Sequence, residues 1–126
     1  MTYAQAAATY QRNAVLTASP EKIVKMLYDG AIKNLEKCRI GLEDPRTARS
    51  PEVGQNLGRA IGIIGELRAS LDHAAGGNVA RDLDRLYEYG LDQLSQANAT
   101  RTAAGVTNTL KVMRTLKEGW DGIIPS

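Results

Sequence analysis

Ser19-Pro20-Glu21-Lys22-Ile23-Val24-Lys25-Met26-Leu27-Tyr28-Asp29-Gly30-Ala31 is the stretch whose reading decides the fold. Ser19 can accept a backbone N–H as an N-cap. Pro20 suits the first helical position, where no donor is needed. Glu21 lies near the positive end of the helix dipole. Val24, Leu27, Tyr28 and Ala31 then recur at three- and four-residue steps, and Leu35, Cys38 and Leu42 continue the stripe. The pattern predicts a helix from about Ser19 to Leu42, unbroken for about 22 residues, or about 33 Å at ~1.5 Å per residue. A helix of that length, apolar on one stripe only, needs neighbours of similar length.

The chain downstream supplies them. Gly41 and Glu43-Asp44-Pro45 end the first helix, and Ser50-Pro51-Glu52 repeats the start signal of Ser19-Pro20-Glu21. Val53, Leu57, Ile61, Ile64, Leu67 and Leu71 form the stripe of a second helix. His73 and Ala74-Ala75-Gly76-Gly77 read as a turn. Asn78 reads as the N-cap of a third helix, with Val79, Leu83, Leu86, Tyr87, Gly90, Leu91, Leu94 and Ala97 on its buried side. A fourth begins around Thr102, with Val106, Leu110, Met113, Leu116 and Trp120 as its stripe. No segment alternates with period 2. The expected fold is all-α, an antiparallel up-down four-helix bundle spanning residues 19–126, because short connections make successive helices antiparallel.

Residues 1–18 differ in kind. Tyr3, Ala7 and Tyr10 share one face of a short helix, too short to be stable alone in water. They read as an N-terminal arm or lid packed against the bundle.

Composition narrows the function. The 126 residues suffice for one domain with one core. Sixteen basic and 14 acidic residues leave a net charge of +2 without a basic run, which argues against nucleic-acid binding. One cysteine, Cys38, excludes an internal disulfide and fits a reducing compartment. No apolar run approaches the ~20 residues of a membrane span, and the N-terminus lacks signal-peptide character. A cytoplasmic protein is expected. One histidine, one cysteine and no Glu-x-x-His pair leave no metal or cofactor site, and Asp72-His73 reads as a surface turn rather than a catalytic dyad. Arg81, Asp82, Asp84, Arg85 and Glu88 read as a solvated helix face with local ion pairs.

One pattern stands apart. The second helix carries Gly54, Gly58, Gly62 and Gly65, spaced four, four and three. Interior glycines cost about 0.8–1 kcal/mol each relative to alanine. Either they let a neighbouring helix of the bundle approach closely, or they keep one groove smooth for a foreign helix. Both readings are open at this stage.

A family resemblance accompanies these residues. Tyr10-Gln11, then Thr17-Ala18-Ser19-Pro20-Glu21-Lys22 running on to Met26-Leu27-Tyr28-Asp29-Gly30-Ala31, resemble the flagellin-specific export chaperones. So do Ala60-Ile61, Ile63-Ile64, Leu67 and Ser70-Leu71-Asp72. Gly76-Gly77, Val79-Ala80, Leu83, Leu86-Tyr87, Tyr89, Leu94 and Ala97-Asn98 continue the match in register. The fourth helix resembles the family mainly in its late tryptophan, and the glycine face is not a general family feature. The resemblance implies a four-helix bundle that binds the disordered C-terminal segment of flagellin in the cytoplasm. That binding would prevent premature polymerisation and keep the subunit competent for the export gate. It also implies that the N-terminal segment, with Tyr10, covers part of the flagellin groove.

The expected partner site comprises Tyr3, Ala7 and Tyr10 as a lid. Leu57, Gly58, Ile61, Gly62, Tyr87 and Leu91 line the groove, and Asn98 is a polar contact for partner backbone. For Leu57, Ile61, Tyr87 and Leu91 an ordinary core role is the alternative, and for Asn98 capping of its own helix. A bundle adaptor for another amphipathic export substrate or regulator is the competing function. An exposed apolar groove could also drive self-association.

Overall fold

The computed structural model describes residues 20–123. Four helices follow one another: α1 (Pro20–Glu43), α2 (Pro51–Ala69), α3 (His73–Thr100) and α4 (Ala104–Ile123). Each packs on the next and α4 returns to α1, so the four close into a ring. The backbones of α1 and α3, and of α2 and α4, face each other across the diagonals without touching. The result is the expected all-α, up-down bundle.

Local chemistry explains the helix ends. At α2, the Val53 N–H donates to the Ser50 hydroxyl at 3.3 Å, and Pro51 takes the first position. At α3 the cap is Asp72, whose carboxylate accepts from the Ala75 N–H at 3.0 Å. This corrects the expected start at Asn78: one helical turn precedes it, and the chain breaks at Gly77. Gly77 has φ 53° and ψ −124°, a conformation that side-chain-bearing residues avoid. α3 ends at Arg101, which adopts the left-handed conformation usually left to glycine, its N–H bonded to the Ala97 carbonyl at 2.8 Å. The Ser19 cap and the 1–18 arm lie outside the described residues.

The core follows the predicted stripes with informative departures. Leu27, Tyr28, Ala31, Leu35, Cys38 and Leu42 of α1 are buried, as are Val53, Leu57, Ile64 and Leu67 of α2. Tyr87, Gly90, Leu94 and Ala97 of α3, and Val106, Leu110 and Met113 of α4, meet them. Ile23 and Ala60, absent from the expected stripes, are fully buried. Each helix packs on two neighbours, so its buried arc is wider than one line of residues. Conversely Val79 is 66% exposed, because it sits in the first turn after the Gly77 break, and Leu86 points outward. Close approach is demanded at Gly105, where a β-carbon would overlap the Gln93 carbonyl oxygen of α3. Buried Thr109 is satisfied through the Gly105 carbonyl at 2.8 Å.

Two tyrosines tie the core across a diagonal. The hydroxyls of Tyr28 on α1 and Tyr87 on α3 hydrogen-bond each other, both side chains being buried. Trp120 stacks beside Tyr28, ring centroids 6.4 Å apart and tilted by 56°. Burial is the main cause that pushes both phenols above the ordinary tyrosine range. At Tyr28 the bonds from Tyr87 and Trp120 partly offset it, whereas at Tyr87 the proximity of Tyr28 adds to it.

Two outcomes follow. Tyr28→Phe or Tyr87→Phe alone leaves one buried hydroxyl short of its partner and should lower stability by about 1–3 kcal/mol. The double variant should lose less than the sum of the two, measured by urea denaturation. Because the folded pKa values are raised, the contribution of this pair is complete below about pH 10 and declines as pH rises beyond it. An alkaline titration followed by tyrosine absorbance should show two phenols ionising at higher pH than a free tyrosine.

Candidate partner-binding groove

The four seams of the ring are closed to different degrees. Charges span α1–α4: Lys25 with Asp121 at 3.5 Å, Lys117 with Asp29 at 3.2 Å, and Arg114 with Glu36. Arg39 first, then Arg114, holds the Glu36 carboxyl below its usual range. Between α1 and α2 the side chains interlock, Ile63 lying against Gly30 and Val53 against Gly41.

The α2–α3 seam is clamped near its two ends. At one end Arg68 of α2 reaches Asp84 of α3 at 2.8 Å and Glu88 at 3.6 Å, and it holds the Asp84 carboxyl below its usual range. At the other, the Arg101 guanidinium donates to the Ser50 carbonyl at 3.1 Å and lies over Gly54. Gly54, Gly58, Ile61, Gly65 and Arg68 are spaced four, three, four and three, so they form one line down α2 facing this seam. Gly62 lies just outside it. A β-carbon at Gly58, Gly62 or Gly65 would meet nothing within 4 Å. Close packing inside the bundle therefore accounts for none of these three, whereas at Gly54 the neighbour is a loop arginine. Half-buried Ile61 and Leu91 pack against the core.

The other expected site residues are distributed unevenly. Leu57 and Tyr87, 1% and 2% exposed, are core residues and offer no surface to a partner in this arrangement. Tyr87 instead lines a cavity of about 190 Å³ at the bundle end, with Val24, Leu67, Leu71, Leu83 and Trp120. Asn98 is exposed, its carbonyl accepts from Arg101 at 3.1 Å, and Arg101 rather than Asn98 caps α3. Tyr3, Ala7 and Tyr10 lie outside the described residues.

A second apolar strip was missed in the sequence. Leu86 of α3 and Val112, Thr115 and Leu116 of α4, with Lys111, surround a shallow hollow of about 240 Å³. Leu86 and Leu116 were read as core. Val112 stands two residues from Leu110 and so fell off the predicted stripe.

Nothing in these grooves resembles a catalytic or metal centre. Among the described residues no cluster of His, Cys, Asp and Glu could hold a metal ion. Cys38 is buried, with its thiol pushed up to about 11 by burial and directed at the Val53 carbonyl, 3.9 Å away. Asp72 is occupied as a cap beside an exposed His73. No helix among the described residues is long and apolar enough to cross a membrane.

Comparison with known proteins gives this bundle its family. The family described as flagellar protein FliS matches residues 3–126. The chain is 38% identical over 109 residues to the flagellar secretion chaperone FliSB of Pseudomonas aeruginosa, covering 86% of this chain and 84% of that one. It is 36% identical over 108 residues to the flagellar secretion chaperone FliS of Vibrio cholerae, covering 86% and 77%. Against FliS of Salmonella typhimurium it is 35% identical over 114 residues, covering 90% and 82%. With its match spanning all four helices and these relatives aligned over most of their own length, the chain belongs to the FliS family of flagellar secretion chaperones.

Proposed function

We propose that this protein is a cytoplasmic, non-enzymatic export chaperone that holds the disordered C-terminal segment of flagellin against its helical bundle. Holding that segment keeps flagellin from polymerising early and delivers it, still unfolded there, to components of the export gate. The observation that carries this reading is the family match along residues 3–126.

Physical features are consistent with it. A flagellin segment with apolar residues at helical spacing can lie in a seam between two helices. It gives up about 2–5 kcal/mol in ordering, so a smooth, unobstructed surface is an advantage. In this proposal Gly58 and Gly62 leave room for the incoming backbone, Ile61 and Leu91 form the apolar floor, and Asn98 offers its amide at one end. Leu57 and Tyr87 support that floor from within the core. Tyr3, Ala7 and Tyr10 form a lid that covers the groove in the free protein and lowers apparent affinity by the fraction of time it is closed.

The glycines permit a direct test. Gly58→Ala with Gly62→Ala should raise stability by roughly 0.8–1 kcal/mol per site, because each methyl enters open space on a helix. The same double variant should bind flagellin's C-terminal peptide more weakly in calorimetry. Unchanged affinity would remove these glycines from the site. A second measurement addresses the lid and the function together. Hydrogen exchange with and without that peptide should show protection along α2 and α3, and deletion of residues 2–12 should leave a folded bundle with altered peptide affinity. A bundle that ignores flagellin but retains another amphipathic export substrate would instead be an adaptor, and an unfolded deletion variant would make the arm structural.

A further inference from the structure

The charges of α1 are sorted between its two flanks. On the flank nearer α4 they are paired. Asp29 meets Lys117 at 3.2 Å, Lys25 meets Asp121 at 3.5 Å, Glu36 is held by Arg39 and Arg114, and Glu43 by Arg39 at 3.0 Å. Lys33 and Lys37 are exposed and stand clear of that network. Arg59 of α2 joins them. It lies at helical spacing between Asn56 and Ile63, and Ile63 packs on Gly30 of α1. Among the described residues Lys33, Lys37 and Arg59 take part in no ion pair.

Apolar surface brackets these cations. Met26, Lys33, Lys37 and Ile40 are spaced seven, four and three residues apart, so they form one ridge along α1. Met26 is 41% exposed and Ile40 61%, apolar area that contributes nothing to the core of the bundle. Beside Ile40 the surface opens into a hollow of about 420 Å³, lined from α1 by Lys37, Ile40 and Gly41 and from α2 by Val53 and Asn56. Two acids stand at its rim. Asp44 is bonded to Arg46 at 3.1 Å, and Glu52 lies in the first turn of α2, where the helix dipole offsets its charge.

We propose that this ridge is a docking surface for an acidic amphipathic helix of a second protein. One apolar side chain of that helix enters the hollow against Ile40. Another covers Met26, about 21 Å away at ~1.5 Å per residue. Carboxylates between them pair with Lys33, Lys37 and Arg59. A lipid surface would meet the same cations but would leave the hollow unfilled, whereas a protruding side chain fits it. Because α1 and α3 stand on a diagonal without touching, a segment lying along the α2–α3 seam leaves this ridge uncovered, and the two surfaces can be occupied together. The pairs are exposed, so the contact is weak and sensitive to salt.

The test is a fluorescence-anisotropy titration of the full chain against a labelled alanine-based helical peptide of about eighteen residues, with a leucine near each end and glutamates on the same face between them. The peptide should bind saturably at about 50 mM salt and at least about tenfold more weakly at about 500 mM. Lys33→Glu with Lys37→Glu should weaken it at least about tenfold, and Ile40→Ser about three- to tenfold. Arg81→Glu with Arg85→Glu, which reverses exposed cations on α3, should leave it unchanged, as should replacing the wild-type chain's α2–α3 glycines Gly58 and Gly62 by alanine. Circular dichroism checks that each variant remains helical, and if the lysine reversal unfolds, Lys33→Gln with Lys37→Gln should give a loss in the same direction. Absence of saturable binding up to about 1 mM protein overturns the proposal. So does equal binding of a peptide with lysines in place of the glutamates, or a loss that follows Arg81 and Arg85 instead of Lys33 and Lys37. Phosphatidylglycerol vesicles that bind through Lys33 and Lys37 while the peptide does not would make the ridge a lipid surface and overturn it as well.

Discussion

The closing of four helices into a ring leaves one interior layer, and every helix must fill it from two sides. That constraint meets its most demanding case where Tyr28 and Tyr87 come together. Their helices stand on a diagonal and share no backbone contact, and the two hydroxyls meet across it. Each hydroxyl depends on the other, because an unpaired buried hydroxyl is expensive in a medium with little water. The pair thus joins α1 directly to α3, while α2 and α4 pack between them and close the ring. Trp120 beside Tyr28 brings α4 into the same cluster.

Once the ring is closed, its outer seams are free to differ. The α1–α4 seam is crossed by ion pairs and the α1–α2 seam by interlocked side chains over glycines. The α2–α3 seam has its clamps near the two ends, at Arg68 and Arg101, and glycines between them. Rigidity and openness are thereby separated. A bundle held by its diagonal and its sealed seams can leave another seam bare without losing its core. That division suits a chaperone, which must stay folded while presenting apolar surface to a segment that folds only on contact.

The fold was readable because amphipathic periodicity records the direction of burial. Leu27, Leu35, Leu57, Leu94 and Leu110 each stand where their three- and four-residue spacing placed them. What periodicity lacks is width and depth. Ile23 and Ala60 escaped notice because one stripe was drawn where two neighbours required a broader arc. Val79 was assigned to the core because it continues the three- and four-residue spacing of Leu83, Leu86 and Tyr87, yet in the first turn after the break it is exposed. Among the groove residues, Leu57 and Tyr87 proved to be interior, whereas Ile61 and Leu91 stand at the edge. Apolar residues of these two kinds differ by a modest rotation about a helix axis, too fine a distinction for spacing to resolve.

By itself the sequence determined that there are four helices, roughly where they start and stop, that they run up and down, and that the family motifs are in register along them. These properties depend on local chemistry: caps, glycines, prolines and the period of apolar residues. Only the tertiary structure decided which seam is sealed and which is open, that Gly58, Gly62 and Gly65 face empty space, and that two tyrosines 59 residues apart share a hydrogen bond. Those facts depend on how far apart helices stand and how they are rotated. Distance and rotation are set by the packing of the whole ring at once, and no single helix carries that information.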